Sequence, residues 1–123
     1  GLLPSFTRAQ KKQGANLLLN VTNDSWFGAY GEPYLHLALT RLRSIETRLP
    51  LLRSTNTGIT TLVDPTGAMA SPTAIGTALV ANYTLSLEEF PETLYVKYGE
   101  FWLIPLSLLT LYLLLYIRSK PRH

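Results

Sequence analysis

The apolar residues of the first hundred positions predict alternating helices and strands. Residues 5–13 suit a short amphipathic helix, with Phe6 and Ala9 on one side and basic residues on the other. Gly14 is well placed to end this helix. Residues 15–21 follow as a strand, and their nearly continuous apolar run is typical of a parallel strand covered on both faces. This order of helix and strand is half of a β-α-β unit.

A second helix and two further strands follow a polar loop. Apolar residues recur at three- and four-residue spacings over residues 33–48, which predicts an amphipathic helix that begins at Pro33 and is stopped by Pro50. Its predicted inner face comprises Leu35, Leu39, Leu42, Ile45 and Leu49, and its predicted outer face His36, Thr40, Arg43 and Thr47. Residues 51–55 and 58–63 are then predicted to be strands.

The pattern is weaker between these strands and the apolar tail. Residues 64–67, Asp-Pro-Thr-Gly, are a strong turn signal. Residues 78–85 are another strand candidate, and residues 86–100 are predicted to be an extended connector.

The tail predicts a membrane-spanning helix. Residues 101–117 carry no charge, and a helix of these 17 residues would be about 25 Å long, near the lower limit for a hydrocarbon core of roughly 30 Å. Aromatic residues near the two ends fit interfacial anchoring: Trp102, Tyr112 and Tyr116. We expect a transmembrane helix over 101–117 and a basic cytoplasmic tail over 118–123, with a buried core helix as the alternative.

The net charge of +3 resides entirely in that tail. The chain has eleven Lys and Arg residues against eight Asp and Glu, and residues 1–100 contain eight of each. A neutral body argues against nucleic acid as a partner, since phosphates need a spread basic face. A basic end is typical of the cytoplasmic side of a membrane span.

Several classes of chemistry are excluded within these 123 residues. The absence of cysteine excludes disulfides, thiolate metal sites and a cysteine nucleophile, and two histidines cannot make a metal site alone. No Gly-x-Ser-x-Gly elbow and no phosphate-binding glycine loop is present. No metal site and no cofactor is predicted, and the nucleophile of any enzyme built on this chain lies elsewhere.

The most informative segment is residues 20–28, Asn-Val-Thr-Asn-Asp-Ser-Trp-Phe-Gly, directly after the buried strand. Side chains that handle ligands gather at the carboxyl ends of strands in α/β layers, so the loop is a candidate site. The alternative is turn formation by Asn-Asp and core packing by Trp-Phe.

Four charged or titratable residues nearby receive structural interpretations. His36 is interpreted as a surface or hydrogen-bonded residue rather than a catalytic base. Arg43 and Glu46 are predicted to form a solvated ion pair on the helix. Arg53 lies in an apolar strand and is predicted to pair with Glu46.

Beyond these local patterns, the segments GANLLLNVTNDSWFG, YLHLALTRLRSIETRLPLLRSTNTGIT, VDPTG and TLYVKYGE, with the last apolar helix, resemble the C-terminal part of bacterial apolipoprotein N-acyltransferases. That family belongs to the nitrilase or carbon-nitrogen hydrolase superfamily. The resemblance implies a partial nitrilase-type α-β-β-α sandwich over residues 1–100, on the periplasmic side of the bacterial inner membrane, followed by one C-terminal transmembrane helix.

The resemblance also implies acyl transfer through a cysteine thioester. The acyl chain would come from a phospholipid and go to the N-terminal amine of a diacylglyceryl-cysteine apolipoprotein, without a cofactor. The family's glutamate base, lysine and cysteine are expected upstream of Gly1, so no catalytic residue is assigned here. The chain is therefore expected to be an inactive fragment that needs the upstream part of the same enzyme as its partner.

The resemblance does assign four residues to the wall of the site, which are Asn23, Asp24, Trp26 and Phe27. Asn23 and Asp24 would shape the loop beside the nucleophile, and Trp26 and Phe27 would form an apolar surface near the acyl chain. The alternatives are a membrane-tailed nitrilase-type amidase and a non-catalytic membrane-anchored module. If the chain is a fragment, residues 1–100 alone are expected to aggregate, since the strands at 15–21 and after residue 50 would lack neighbours.

Overall fold

The computed structural model describes residues 3–27 and 31–119, in which helices and strands alternate up to residue 55 and two further strands and two helices follow. The helices are α1 (Pro4–Lys12), α2 (Glu32–Thr47), α3 (Leu94–Tyr98) and α4 (Leu103–Ser119). The strands are β1 (Leu18–Thr22), β2 (Leu51–Thr55), β3 (Thr61–Val63) and β4 (Met69–Ala70). Short 3₁₀ turns occupy Ser25–Phe27 and Gly99–Trp102. The described residues are thus a mixed α/β structure, as predicted.

The four strands form one sheet in the order β1-β2-β3-β4. β1 and β2 are parallel, with Leu18 opposite Leu51, while β3 is antiparallel to β2 and to β4. The carboxyl ends of β1 and β2 therefore lie side by side at one edge of the sheet. The expectation that both strands lack neighbours is wrong, because they pair with each other and β2 also pairs with β3.

The second half of the chain departs from the prediction in three places. Residues 78–85 form no strand, because they have no backbone partner, although the Tyr83 hydroxyl donates to the Ser71 carbonyl at 3.2 Å. The predicted extended connector contains α3, whose first turn is capped by the Thr93 hydroxyl accepting from the amide of Val96. The predicted strand at 58–63 is confined to β3, and β4 was not predicted.

The buried face of α2 is reversed relative to the prediction. On α2 the buried residues are Pro33, Leu37, Thr40, Arg43, Ser44 and Thr47, whereas Leu35, Leu39 and Leu42 are exposed. Of the predicted inner face, Leu49 is buried and Ile45 is half-buried. On α1, Thr7 is buried and Phe6 is exposed. Periodicity located both helices correctly and assigned the wrong side of α2 to the core.

The buried hydroxyls explain this reversal. Thr40 and Thr47 donate to the carbonyls of His36 and Arg43, each one turn earlier, both at 2.7 Å. Ser44 donates to the Asp64 carbonyl at 2.8 Å. A hydroxyl that is satisfied within its own helix can be buried at little cost, and its small size lets the helix approach the sheet closely.

The core lies between these helices and one face of the sheet. Leu18, Leu49, Leu51 and Val63 form a buried apolar cluster. The alternate residues Leu19 and Val21 of β1 point to the opposite face and are 59% and 74% exposed. One face of the sheet is therefore covered by helices, and β1 presents apolar side chains on the other.

The helix α4 has no buried residue. Within the described ranges, no single helix is both long and apolar enough to cross a membrane. Residues Leu94–Phe101 and Leu103–Ser119, which meet at a bend of 56°, pass that test together on length and composition. Most of the predicted basic tail, residues 120–123, lies outside the described residues.

Candidate functional site

Two loops meet where β1 and β2 end. The first follows Thr22 and contains the 3₁₀ turn Ser25–Phe27, and the second follows Thr55 and begins with Asn56. Because the two strands are parallel and adjacent, both loops leave the same edge of the sheet. The sequence predicted the first loop as a site and did not single out the second.

A buried ion pair fixes the first loop to β2. Arg53 Nη2 lies 2.7 Å from Asp24 Oδ2, and both side chains are 0% exposed. Arg53 Nη1 donates to Asn20 Oδ1 on β1 at 2.6 Å and to the Thr40 hydroxyl on α2 at 3.1 Å. The predicted pairing of Arg53 with Glu46 is therefore wrong, since the guanidinium ties β1, β2, α2 and the first loop together.

Burial and pairing act in opposite directions on this guanidinium. Burial lowers the pKa of Arg53, and the charge and hydrogen bond of Asp24 raise it. Breaking such a pair from one side leaves an uncompensated buried charge, at a cost of about 3–5 kcal/mol. Arg53 Nε is buried without a partner among the described residues, so Asp24 is the principal compensation for the charge.

His36 completes the group from the first turns of α2. Its Nδ1 lies 2.9 Å from Asp24 Oδ1 and 3.4 Å from Arg53 Nη2. In the tautomer with its proton on Nδ1, His36 donates to Asp24 Oδ1. The interpretation of His36 as a hydrogen-bonded residue is confirmed. Its contacts give it a role in holding Asp24.

Side-chain amides join the two loops at the surface. Asn56 accepts from the backbone amide of Asp24 at 3.2 Å and donates to Asn23 Oδ1 at 2.7 Å. Asn23 Oδ1 also accepts from the amide of Ser25 at 3.0 Å and from its hydroxyl at 2.7 Å. The first loop is thus held at both of its first two residues by Asn56.

Gly58 allows the second loop to approach Asp24 closely. A Cβ atom at position 58 would lie 2.1 Å from Asp24 Oδ2 and 2.9 Å from its carboxyl carbon. No side chain fits at that distance unless the Asp24 carboxylate shifts. A lone glycine in a Thr-Gly pair gave no such signal in the sequence.

The joined loops border an open depression of about 460 Å³. It is lined by Val21, Thr22, Asn23, Ser54, Thr55 and Asn56. The hydroxyl of Thr55 is buried and has no partner among the described residues. The depression therefore presents the exposed side chains of Asn23 and Asn56 to a ligand.

The four predicted wall residues fall into different positions. Asn23 is exposed beside the depression, whereas Asp24 is 1% exposed and acts on the loop from beneath. Trp26 is 84% exposed, so it is not packed in a core of these residues. The side chain of Phe27 and residues 28–30 lie outside the described residues.

Sequence reasoning missed three contributors: Arg53 as the partner of Asp24, Asn56 as the clamp, and Thr55. A buried arginine in a strand needs a carboxylate, and Asp24 at the end of the neighbouring strand was the nearest candidate by topology. Choosing it required the parallel pairing of β1 and β2, which the sequence did not supply.

A second charged pair lies further along α2. Arg43 Nη2 lies 2.8 Å from Glu46 Oε1, which confirms the predicted ion pair, but Arg43 is buried rather than solvated. Burial raises the pKa of Glu46, and Arg43 lowers it. Within residues 3–27 and 31–119, no three His, Cys, Asp or Glu side chains come together in a way that could hold a metal ion.

Comparison with known sequences bears on this site. The sequence model of the carbon-nitrogen hydrolase family matches residues 1–92. The apolipoprotein N-acyltransferase of Bdellovibrio bacteriovorus is 42% identical over 111 residues, covering 89% of this chain and 20% of that protein.

Two further relatives have similar names and coverage. The apolipoprotein N-acyltransferase of Geobacter metallireducens is 40% identical over 100 residues, covering 81% of this chain and 19% of that protein. The apolipoprotein N-acyltransferase 2 of Leptospira interrogans is 39% identical over 113 residues, covering 89% and 19%. The chain thus spans about a fifth of the length of the curated relatives it matches.

Proposed function

The chain belongs to the carbon-nitrogen hydrolase family, and we propose that it is the C-terminal part of an apolipoprotein N-acyltransferase. The enzyme would transfer an acyl chain from a phospholipid to the N-terminal amine of a diacylglyceryl-cysteine apolipoprotein. The observation that carries the proposal is the clamped loop at the ends of β1 and β2, with exposed Trp26 on it. Relatives named for that activity support it.

The reaction would proceed in two steps through a cysteine thioester. A covalent intermediate divides a difficult transfer into two easier ones, and a nearby cation stabilises the oxyanion that develops. This chain has no cysteine, so the nucleophile, the glutamate base and the lysine would come from the rest of the longer protein. The 123 residues alone are accordingly proposed to be inactive.

The residues of this chain would position and shield the reacting groups. Asp24, held by Arg53 and His36, would fix the loop, and Asn23 would set its orientation at the depression. Trp26 would offer an apolar face to the acyl chain. Small displacements of such a wall reduce rates strongly, because reacting atoms must be held in a narrow range of geometry.

The apolar surfaces support a sandwich domain carried on a membrane. The exposed side chains of Leu19 and Val21 would pack on the second sheet of a nitrilase-type sandwich. The helix α4, with its preceding segment, would span the bacterial inner membrane, leaving residues 1–100 periplasmic and the basic end cytoplasmic. Both arrangements would remove exposed apolar surface from water.

The test uses the full-length protein encoded with this chain, reconstituted with phospholipid and a diacylglyceryl-cysteine peptide. We expect N-acylated peptide and a thioester-bound acyl group. Trp26→Ala should lower kcat/KM at least about tenfold, which corresponds to 1.4 kcal/mol of transition-state stabilisation, without changing thermal stability. Tyr98→Ala is the matched control, since Tyr98 is also an exposed aromatic residue, at 57% exposure, on α3.

The family match favours one second candidate, a membrane-tailed amidase that hydrolyses a carbon–nitrogen bond. The same preparation distinguishes the two. Release of free acid or ammonia from amides without N-acylation of the peptide would favour the amidase. A full-length protein that does neither, and gains no thioester, would contradict both and leave a non-catalytic module.

A further inference from the structure

A second cleft lies where the globular residues meet the apolar helix. It has a volume of about 460 Å³ between α1 and the turn that joins α3 to α4. It is lined by Ser5, Arg8, Tyr95, Glu100, Phe101 and Ile104, with Gly99 at its base. None of these residues belongs to the depression at the ends of β1 and β2.

Three backbone carbonyls hold Arg8 in this cleft. Its Nε donates to the carbonyls of Tyr95 and Val96 at 2.9 and 3.0 Å, and its Nη2 donates to that of Lys97 at 3.1 Å. Among the described residues, none accepts a hydrogen bond from Nη1. The guanidinium therefore caps the end of α3 and keeps donors for a ligand.

Gly99 makes room for this guanidinium. Its φ of +62° is a conformation that glycine adopts freely, and a Cβ atom there would lie 3.1 Å from Arg8 Cζ and 3.2 Å from Nη1. A side chain at this position would crowd the cation. The cleft therefore depends on a glycine at its base.

A carboxylate and two aromatic rings complete the lining. Glu100 lies on the same cleft as Arg8, yet the two side chains form no ion pair with each other. Burial raises the pKa of the Tyr95 hydroxyl, Glu46 and, more weakly, Glu100 add to that effect, and Arg43 and, more weakly, Arg8 oppose it. The cleft thus presents one cation, one anion and aromatic surface to the same ligand.

The cleft is continuous with the apolar helix. Ile104, in the first turn of α4, forms part of its wall, and α4 exposes apolar side chains from there to its end. A ligand bound between Arg8 and Glu100 would therefore have its remainder alongside a hydrophobic surface. That arrangement matches an amphiphile with a doubly charged head.

We propose that this cleft binds the zwitterionic headgroup of a bilayer phospholipid. Arg8 would bind the phosphate, Glu100 and the faces of Tyr95 and Phe101 would contact the cationic amine, and the acyl chains would lie along α4 from Ile104. An anionic headgroup without an amine would leave Glu100 repelling it. The proposal rests on the membrane attachment of α4 put forward above.

The test measures lipid retention by the full chain in a neutral detergent. The chain is mixed with equal amounts of phosphatidylethanolamine and phosphatidylglycerol, and bound lipid is counted by native mass spectrometry. We expect about a threefold preference for phosphatidylethanolamine, the effect of one partly exposed charge pair. Glu100→Gln should abolish the preference, and Arg8→Gln should reduce retention of both lipids.

Controls separate a lipid site from a structural cap. Lys12→Gln removes a cation from α1 outside the cleft and should change nothing. Because Arg8→Gln also removes the cap of α3, its thermal unfolding is measured in parallel, and Glu100→Gln remains informative if that variant unfolds. Excess soluble glycerophosphoethanolamine should compete only weakly, since it lacks the acyl chains that would contact α4.

Each outcome bears on one proposal or both. Equal retention of the two lipids by the wild type, or an unchanged preference in Glu100→Gln, would overturn the headgroup site. Flotation of the chain with liposomes separates this failure from that of membrane attachment. A chain that floats without headgroup preference refutes the cleft alone, and a chain that does not float refutes both.

Discussion

The cluster at the ends of β1 and β2 and the helix α4 are stabilised in opposite ways. In the cluster, the Arg53 and Asp24 side chains are completely buried and are connected to Asn20, Thr40 and His36 by directional contacts. In α4 no residue is buried, and the helix is almost uniformly apolar. The cluster depends on exact partners within this chain, whereas α4 depends on what surrounds it.

This difference separates two sources of specificity. A buried ionic network fixes geometry because each partner has few alternatives, and a partly satisfied network is costly. An apolar helix needs only a hydrophobic environment, so many sequences suffice. Substitutions in the cluster should therefore change the stability of the fold. Substitutions in α4 should change how strongly the helix partitions from water into a membrane.

The largest effect should come from Arg53→Met in the cluster. Loss of the guanidinium leaves Asp24 charged and buried, so the free energy of unfolding should fall by about 3–5 kcal/mol. Arg41→Met is the matched control, because Arg41 makes one hydrogen bond to the Gly67 carbonyl at 2.9 Å and should cost only about 0.5–1.5 kcal/mol. Urea denaturation of the chain in detergent measures both losses. Equal losses would show that the buried cluster stabilises the fold no more than a single hydrogen bond does.

Two leucines of α2 test the reversed helix faces. Leu37 is 4% exposed and Leu39 is 51% exposed. Leu37→Ala should destabilise by about 3 kcal/mol through a cavity, and Leu39→Ala by less than about 1 kcal/mol. The opposite ranking in the same denaturation experiment would support the buried face that periodicity predicted for α2.

The helix α4 should respond to charge in a different assay. Leu111→Arg places a charge in the middle of the apolar run and should weaken membrane insertion by about 3 kcal/mol. Liposome flotation should show this loss, while unfolding of the globular residues should change by no more than about 0.5 kcal/mol. Leu111→Ala serves as the uncharged control. Unchanged flotation of the arginine variant would contradict a spanning role for α4.

Gly58→Ala should have the smallest effect of the four, about 1–3 kcal/mol, because the new methyl group collides with the Asp24 carboxylate. Gly14→Ala is the comparison, since nothing lies within 4 Å of its Cβ position and only its positive φ opposes the change. In chemical shift spectra, Gly58→Ala should perturb Asp24 and Asn56. A perturbation confined to residues beside position 58 would argue against the close approach.

Local patterns in the sequence predicted the positions of α1, β1, α2 and β2. They did not predict which face of α2 is buried or which strands pair with each other. Proline and glycine mark helix ends through backbone geometry alone, so the ends of α2 were predicted within one residue. The buried face of α2 could not be predicted by hydrophobicity, since Thr40 and Thr47 satisfy their hydroxyls within the helix. The strand proposed at 78–85 failed for a related reason, because a strand exists only where a backbone partner is present.

Only one of the two loops of the candidate site was predicted, because local patterns do not show which distant residues meet. The polar loop after β1 is visible in the sequence, because polar and aromatic residues follow an apolar run. Its supports, Arg53 and Asn56, lie about thirty residues away and meet Asp24 only once β1 and β2 pair in parallel. Such long-range partners follow from topology, and topology was not contained in any local pattern.

The most direct test of the central claim is a double-mutant cycle with Asp24→Asn and Arg53→Met, measured by urea denaturation of the full chain in detergent. If the buried pair holds the loop, each single variant should lose about 3–5 kcal/mol, and the double variant should lose no more than the worse single one. That result would give a coupling of at least about 3 kcal/mol, the smaller of the two single losses. Losses that add to within about 0.5 kcal/mol would show that Asp24 and Arg53 act independently, and the account of the loop as a wall fixed from beneath would fail.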